Sequence, residues 1–240
     1  MSVVGNPKIR IRHTKQGKVR FTSHRDVARM WERALRRVRL PVAYSEGFSP
    51  RPKLSFGLAL STGYESLAEY LDVELSERID LTDLPPRLTE ALPSGLEVAA
   101  VADIERSTDS LQQAITSCTW EIEVSDTDLP TVTEAVARAL AAEHIVVTRE
   151  RKGKPVTDDL RPLVRHLDVT GSNESGCRLT AVLGTQPRAL RPAELLAALE
   201  PPLELRRVLR THQWIDADTG RREPLAAASG SAAHSEACVP

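Results

Sequence analysis

Apolar residues recur at helical spacing in one stretch near the start of the chain. They stand at intervals of three and four residues, which places them on one face of an α-helix. Ser23 occupies a suitable N-cap position, Asp26 follows three residues later as in a capping box, and Pro41 stops the pattern. A helix is therefore predicted between Ser23 and Pro41. The apolar face consists of Val27, Met30, Trp31, Ala34, Leu35 and Val38.

Alternation of apolar and polar residues predicts strands on both sides of this helix. Ile9 and Ile11 alternate with basic residues, and residues 15–18 form a turn towards Val19 and Phe21, which predicts a hairpin or a bulged strand. Further strands are predicted after the helix, with a short helix at residues 82–92 before the last of them. The order β-α-β-β-α-β is typical of a ferredoxin-like unit. The later strands lie within residues 42–60, 69–75 and 96–104.

The same order of elements follows a second time, and the last residues have no periodicity. We therefore expect an α+β protein of two ferredoxin-like (βαββαβ) halves with antiparallel sheets and helices on one face. The halves are residues 1–108 and 109–216, and residues 217–240, rich in Ala, Ser and Gly, are expected to be a disordered tail. In the second half, strands are predicted at 119–124, 145–148, 163–169, 178–183 and 205–214, and helices at 129–142 and 192–199.

The net charge of −1 hides an uneven distribution of charge along the chain. Residues 1–60 contain 14 lysines and arginines against 3 acidic residues, whereas residues 61–145 contain 4 against 18. A chain with segregated charges can present one basic face, and such a face is what a nucleic-acid backbone requires. With 41% apolar and 27% charged residues, the composition is typical of a soluble globular protein.

Several functional classes are disfavoured by what the sequence lacks. No apolar run is long enough to cross a bilayer, and the first twelve residues do not resemble a signal peptide, so we expect a cytoplasmic protein without membrane contact. The three cysteines lie about sixty residues apart, a spacing unlike that of disulfide frameworks, metal sites or iron–sulfur clusters. Glycine-rich phosphate-binding motifs are missing as well. No cofactor and no metal are expected.

Basic residues of the predicted helix and of the loop after it are candidates for nucleic-acid binding. Four arginines align along one flank of the helix, although a solvated helix face would have the same pattern. The loop at residues 45–53 combines Gly47, two prolines and Phe48, an aromatic residue suited to stacking on an unpaired base. Arg149 and Arg161 belong to a second basic segment, where internal ion pairs are an equal alternative. The candidate contacts are Arg20, His24, Arg25, Arg29, Arg33, Arg36, Phe48, Arg51, Lys53, Arg149 and Arg161.

Two other functions remain open. His24 could act as the general base of a metal-independent endoribonuclease of ferredoxin-like type, assisted by Tyr44 or Lys53, or it could simply fill the first turn of the helix. A protein-only scaffold is the third hypothesis, with an acidic docking face. That face would consist of Glu69, Asp72 and Glu74.

The first fifty-six residues resemble a known family. The chain is similar to the bacterial radical-SAM-linked family of unknown function, which occurs alone or at the C-terminal end of cobalamin-binding radical SAM proteins. The likeness extends over about residues 7–215, with a second block at 152–162, and it departs from the family pattern at Arg25, where leucine is usual, and at Arg51, where histidine is usual. Its first block reads Lys15-x-Gly17-x-x-Arg20-Phe21-x-Ser23-His24-x-Asp26, Arg29, Glu32-Arg33-Ala34-Leu35-Arg36-Arg37 and Leu40-Pro41-x-Ala43-Tyr44-Ser45-Glu46-Gly47-Phe48-Ser49-Pro50-x-Pro52-Lys53-Leu54-Ser55-Phe56.

This resemblance implies a non-catalytic accessory role. Since the chain has no cluster-binding cysteines, it would recognise or present a substrate for a radical SAM enzyme rather than perform the radical chemistry itself. Genes of the family tend to lie near genes for ribosome and RNA processing. We therefore expect RNA, either tRNA or rRNA, as the partner, and a radical SAM enzyme as a possible second partner.

Overall fold

Eleven strands and five helices make up the part of the chain that the computed structural model describes, residues 6–105, 109–174, 176–217 and 220–225. The helices are α1 (His24–Arg37), α2 (Leu84–Ala91), α3 (Leu111–Ala114), α4 (Leu129–Ala141) and α5 (Pro192–Ala197). The strands are β1 (Lys8–Lys15), β2 (Leu54–Phe56), β3 (Glu65–Glu74), β4 (Val98–Ile104), β5 (Ser117–Ser125), β6 (Val146–Arg151), β7 (Lys154–Asp159), β8 (Val164–Asn173), β9 (Gly176–Gly184), β10 (Glu204–Ala217) and β11 (Gly220–Arg222).

One large sheet contains strands from both predicted halves of the chain. Its strands lie in the order β4-β1-β3-β10-β5-β9-β8, with β2 beside β3 and β11 beside β10, while β6 and β7 form a separate hairpin. All pairs in the sheet are antiparallel except β3–β10, which are parallel where Leu209 and Arg210 meet Glu65 and Ser66. The protein is thus an α+β structure with a mostly antiparallel sheet, as predicted.

Two hydrophobic clusters fill the space between the sheet and the helices. The first cluster contains Ile9 and Ile11 of β1 and Trp31 of α1, and it draws its buried residues from positions 9–96. The second contains Ile122 of β5 and Val136 of α4, and most of its members come from residues 111–208. The apolar face predicted for residues 27–38 is therefore the face by which α1 packs on the sheet.

Helix α1 begins and ends where the sequence predicts. The Ser23 hydroxyl accepts a hydrogen bond from the Asp26 N–H at 3.2 Å, which satisfies one of the free donors of the first turn. Two residues after the helix, Arg39 has a positive φ of 55°, and Pro41 prevents its continuation. The predicted helix is confirmed.

Both ends of the described chain differ in part from the prediction. Of the two alternatives predicted for the start of the chain, the bulged strand is present, since the pairing of β1 with β3 shifts register between His13 and Lys15. Residues 17–21 form a 3₁₀ turn and not the second strand of a hairpin, and the Gly17 N–H donates to the Glu65 carboxylate at 2.7 Å. Part of the expected tail is folded instead, because Gly220–Arg222 form β11 beside β10. Glu223 forms an ion pair with Arg12 at 2.7 Å, and the carbonyl of Leu225 accepts from the Tyr70 hydroxyl at 3.3 Å. Residues 226–240 lie outside the described residues.

The charges of β1 and β3 are largely buried against each other. Arg10 and Arg12, on the side of β1 opposite to Ile9 and Ile11, are only 2% and 6% exposed. Of the acidic residues expected to form a docking face, Asp72 is buried and ion-paired with Arg10, Glu69 is paired with Arg210 and Glu74 with Lys53. Asp72 and Glu69 are therefore largely withdrawn from the surface, whereas Glu74 stays partly exposed, and the scaffold hypothesis stays a prediction. None of the described helices has the length and apolarity needed to cross a membrane.

Candidate nucleic-acid interface

A groove with a strongly basic lining lies between α1 and the loop that precedes β2. Its volume is about 490 Å³. Glu32 is the one acidic residue among those described that line it. We call it the arginine groove, and it is defined by Arg25, Arg29, Arg36, Arg51 and Tyr44. The structure thus brings together the helix and the loop that the sequence singles out separately.

Hydrogen bonds within the loop fix its conformation. The Ser45 N–H donates to the Arg51 carbonyl at 2.9 Å, and the Arg51 N–H donates to the Ser45 hydroxyl at 3.0 Å. Tyr44 forms an isolated β-bridge with Pro52. At the tip, Gly47 has φ 115°, a conformation that other residues rarely adopt, and Phe48 is fully exposed. An unpaired base can therefore reach the Phe48 ring without any rearrangement of the core.

Most guanidinium groups of the arginine groove are open to a ligand. Among the described residues, no hydrogen bond or ion pair involves the side chain of Arg25 or Arg51. Arg29 lies 3.3 Å from Asp26, in a pair exposed on both sides, and Arg36 uses only its Nε to bond the Glu32 carbonyl. Exposed ion pairs contribute little, so a phosphate can compete with Asp26 for Arg29.

Five predicted contacts of the N-terminal region lie outside this lining, namely Arg20, His24, Arg33, Phe48 and Lys53. Arg33 is exposed and shares a flank of the helix with Arg29, but it does not line the groove. The Arg20 guanidinium lies 3.5 Å from the Glu65 carboxylate and 4.7 Å from the Phe21 ring centre. Lys53 lies 3.1 Å from Glu74. Their roles in binding remain predictions.

His24 and Tyr44, two of the three residues of the catalytic hypothesis, line different cavities. His24 is exposed and lies edge-on to Phe56, with ring centres 5.1 Å apart. It borders a cavity of about 20 Å³ beside His13 and Lys15, space for about one water molecule. Tyr44 instead lines the arginine groove, and Lys53 lines neither cavity.

Burial lowers the pKa of two basic groups that line the small cavity with His24. It lowers the pKa of His13, and the carboxylate of Glu69 opposes this shift. Burial also lowers the pKa of Lys15, whose ammonium donates to the Thr22 carbonyl at 3.2 Å.

Both predicted contacts of the second basic segment have partners within the protein. Arg149 of β6 donates through Nε to Asp158 of β7 at 2.6 Å, so the internal ion pair is present. The Arg161 guanidinium donates to three backbone carbonyls, which joins the end of α4 to the start of β8. These acceptors are the carbonyls of Leu140, Ala142 and Val164, at 3.1, 3.2 and 3.2 Å.

A larger cleft lies among residues that the sequence analysis did not single out as binding residues, apart from Arg149. Its volume is about 1030 Å³, and it opens between the segment before β3 and the segment between β9 and α5. No local motif points to it, since its residues are far apart in the sequence. Leu190 and Arg191 at its rim belong to a Leu-Arg-Pro tripeptide that also occurs at residues 160–162. We call it the Tyr64 cleft, and it is defined by Tyr64, Trp120, Arg188, Arg191 and Arg210.

Comparison with known proteins gives a family match without a described activity. A family model described as "Uncharacterized protein conserved in bacteria (DUF2344)" matches residues 8–192. A search of the curated proteins finds no match. The matched residues include the whole arginine groove and, of the Tyr64 cleft, all the defining residues but Arg210. Among the described residues, no cluster of three or more His, Cys, Asp or Glu side chains is arranged to hold a metal ion.

Proposed function

The chain belongs to this family of uncharacterised proteins conserved in bacteria, because the match covers more than half of it, and we propose that it binds RNA as an accessory protein. The observation that carries the proposal is the arginine groove, where four arginines face one glutamate. A phosphate backbone is the common biological polyanion that such a groove suits, because each guanidinium can donate two hydrogen bonds to one phosphate.

The exposed aromatic residues favour single-stranded RNA over a duplex. Phe48 and Tyr44 are both exposed, and they lie on the same loop as Arg51. Bases of an unpaired strand can stack on such rings, whereas bases within a duplex are already stacked on one another. Arginines for the backbone and a ring for the bases are the usual components of a single-strand site.

The sheet topology supports two ferredoxin-like halves. In the first half the order β4-β1-β3-β2 places the first and third strands in the centre, and the order β10-β5-β9-β8 does the same in the second half. Both halves contain strand–helix–strand and strand–helix–strand segments in sequence, as that unit requires. The fold by itself does not assign a function, so the RNA proposal rests on the groove.

The proposed cellular role is to present RNA to an enzyme in the cytoplasm. It is supported by the resemblance of residues 15–56 to proteins linked to radical SAM enzymes, and by a chain with only three widely spaced cysteines. The partner enzyme would supply the chemistry, while the arginine groove would hold the RNA. The choice between tRNA and rRNA belongs to the same proposal.

An RNA-binding measurement with matched arginine variants tests the proposal. A labelled, unstructured 20-nucleotide RNA is titrated with protein in increasing NaCl, and binding is followed by fluorescence anisotropy. The Arg25→Gln/Arg36→Gln variant should bind more weakly, and its slope of log K against log salt should fall by about 1.4, because each phosphate contact on a single strand contributes about 0.7.

The control removes the same number of charges elsewhere. Arg78, which is 78% exposed in its side chain, and Arg206 both lie outside the groove, so Arg78→Gln/Arg206→Gln should leave the slope unchanged. Thermal unfolding verifies that both double variants are folded. Equal slopes for the two variants, or a wild-type protein that does not bind the RNA, would refute the proposal.

A further inference from the structure

The Tyr64 cleft has the size and the lining of a small-molecule site. At about 1030 Å³ it lies at the upper end of the volumes of ligand pockets. Apolar side chains, among them Leu58 and Pro187, line it together with guanidinium groups and the hydroxyls of Ser61 and Thr185. Such a mixture suits a ligand with a flat apolar part and a charged part.

Ion pairs fix one wall of the cleft. The Asp158 carboxylate is shared between Arg149 at 2.6 Å and Arg188 at 3.1 Å, so the β6–β7 hairpin is tied to the segment between β9 and α5. Arg188 also makes a two-point contact with Glu194, at 2.9 and 2.7 Å. Arg149 and Arg188 therefore have their charges balanced within the protein and serve to hold the wall in place.

The floor of the cleft is aromatic. Tyr64 packs edge-on against Trp120 with ring centres 6.0 Å apart, and the Arg210 guanidinium lies 5.4 Å from the Trp120 ring centre. Arg210 is buried and bound to Glu69 and to the Leu58 carbonyl. Trp120 is itself buried, so the partly exposed Tyr64 is the ring that a ligand can reach.

Arg191 is the arginine of the cleft whose charge is not balanced by an acidic side chain among the described residues. It lines the cleft and is exposed, and no ion pair or side-chain hydrogen bond involves it among the described residues. It stands two residues before Ala193, whose N–H donates to the Tyr64 hydroxyl at 3.3 Å, and it lines the same cleft as Tyr64. A free guanidinium and an accessible aromatic ring thus stand side by side.

We propose that the Tyr64 cleft binds a nucleotide, with the base against Tyr64 and the phosphate on Arg191. A guanidinium forms paired hydrogen bonds with a phosphate, and an aromatic ring offers a stacking surface for a base. A free nucleotide and the phosphorylated 5′ end of an RNA share this chemistry. The site is separate from the arginine groove and does not depend on the function proposed for that groove.

Calorimetric titration with AMP, adenosine and inorganic phosphate tests the proposal on the full-length protein. AMP should bind at least tenfold more tightly than adenosine or phosphate alone, because only AMP offers both groups. Arg191→Gln should weaken AMP binding at least tenfold and leave adenosine binding unchanged. Arg206→Gln, which removes an exposed arginine outside the cleft, is the matched control and should bind AMP like the wild type.

Competition with short RNAs separates the two sources of the phosphate. If a 5′-phosphorylated tetraadenylate displaces AMP and its 5′-hydroxyl counterpart does not, the ligand is an RNA end; if neither displaces AMP, it is a free nucleotide. The proposal is overturned if AMP at 5 mM does not bind, if AMP and adenosine bind equally, or if Arg191→Gln binds AMP like Arg206→Gln. Arg25→Gln/Arg36→Gln should leave AMP binding intact, which separates this site from the groove.

Discussion

The Arg10 guanidinium faces the Asp72 carboxylate across β1 and β3 in a two-point contact. Arg10 Nε lies 2.7 Å from Asp72 Oδ1, and Nη2 lies 2.9 Å from Oδ2. Both side chains are almost fully buried, and Lys8 reaches the same carboxylate at 3.2 Å from a more exposed position. The basic start of the chain and the acidic segment after residue 60 thus neutralise each other at this point within the sheet.

Removing one partner of this pair should destabilise the protein strongly, whereas replacing both partners with apolar residues should have little effect on stability. Arg10→Met should lower the free energy of unfolding by about 3–5 kcal/mol, because it leaves the buried Asp72 carboxylate without its main partner. Arg10→Met/Asp72→Leu should recover most of that loss. Urea denaturation of the wild type, both single variants and the double variant measures the coupling, and purely additive effects would contradict the expectation.

Stability should fall as the pH is lowered towards 5.5. Burial holds the pKa of His13 below its ordinary value of 6.5, so the unfolded chain takes up a proton at a higher pH than the folded protein does. The stabilisation by neutral His13 is therefore present above about pH 6.5 and is lost as the pH falls towards the lower, folded-state pKa. Glu69 opposes the shift, and Arg210 and Lys15 add to it.

Urea denaturation at pH 7.5 and pH 5.5 measures this dependence. His13→Gln should reduce the loss of stability between the two pH values without abolishing it, because burial also lowers the pKa of His212. The exposed His166 provides the control, and His166→Gln should behave like the wild type. Identical pH dependence in wild type and His13→Gln would disprove the assignment to His13.

Phe48 should contribute to RNA affinity without contributing to its salt dependence. Phe48→Ala removes a fully exposed ring, so the fold should be unaffected. Loss of one stacked base should weaken binding of the unstructured RNA by about 1–3 kcal/mol, or roughly 5- to 150-fold, with an unchanged salt slope. Anisotropy titrations with single-stranded and duplex RNA check this, and an equal loss on both RNAs would exclude stacking on an unpaired base.

Arg161 should act on stability rather than on binding. Its guanidinium donates to three carbonyls, so Arg161→Gln should lower the free energy of unfolding by about 1.5–3 kcal/mol. Because these bonds occupy the guanidinium, affinity for RNA should not change. Arg165→Gln, which breaks a more exposed pair with Asp216, is the matched control and should cost about 1 kcal/mol or less. An Arg161→Gln variant with normal stability and weakened RNA binding would support the sequence-based prediction that Arg161 contacts RNA.

Incubation of RNA with the protein in EDTA separates binding from cleavage. Since His24, Tyr44 and Lys53 do not line a common cavity, we expect the RNA to remain intact. The His24→Ala variant should then bind RNA as the wild type does. RNA cleavage that survives EDTA and disappears in His24→Ala would favour the endoribonuclease hypothesis instead.

Local patterns in the sequence were sufficient for most elements of the fold. The spacing of Val27, Trp31 and Leu35 and the cap at Ser23 predicted α1 correctly, because helix periodicity and capping depend on residues within a few positions of each other. The short elements α3, β7 and β11 were not predicted. The turn at residues 17–21 was missed, since Glu65, the residue that accepts from Gly17, is 48 positions away.

For the candidate sites, the sequence by itself determined which residues are basic and aromatic, and the tertiary structure decided which of them are free. Arg10 and Arg25 look alike in the sequence, yet Arg10 is buried against Asp72, whereas Arg25 lines an open groove. Strand pairing also gathered Tyr64, Trp120 and Arg191 into one cleft from three distant segments. Ion pairs and cavities depend on distances in space. Distances between remote segments are fixed only when the chain folds and the strands of the sheet pair.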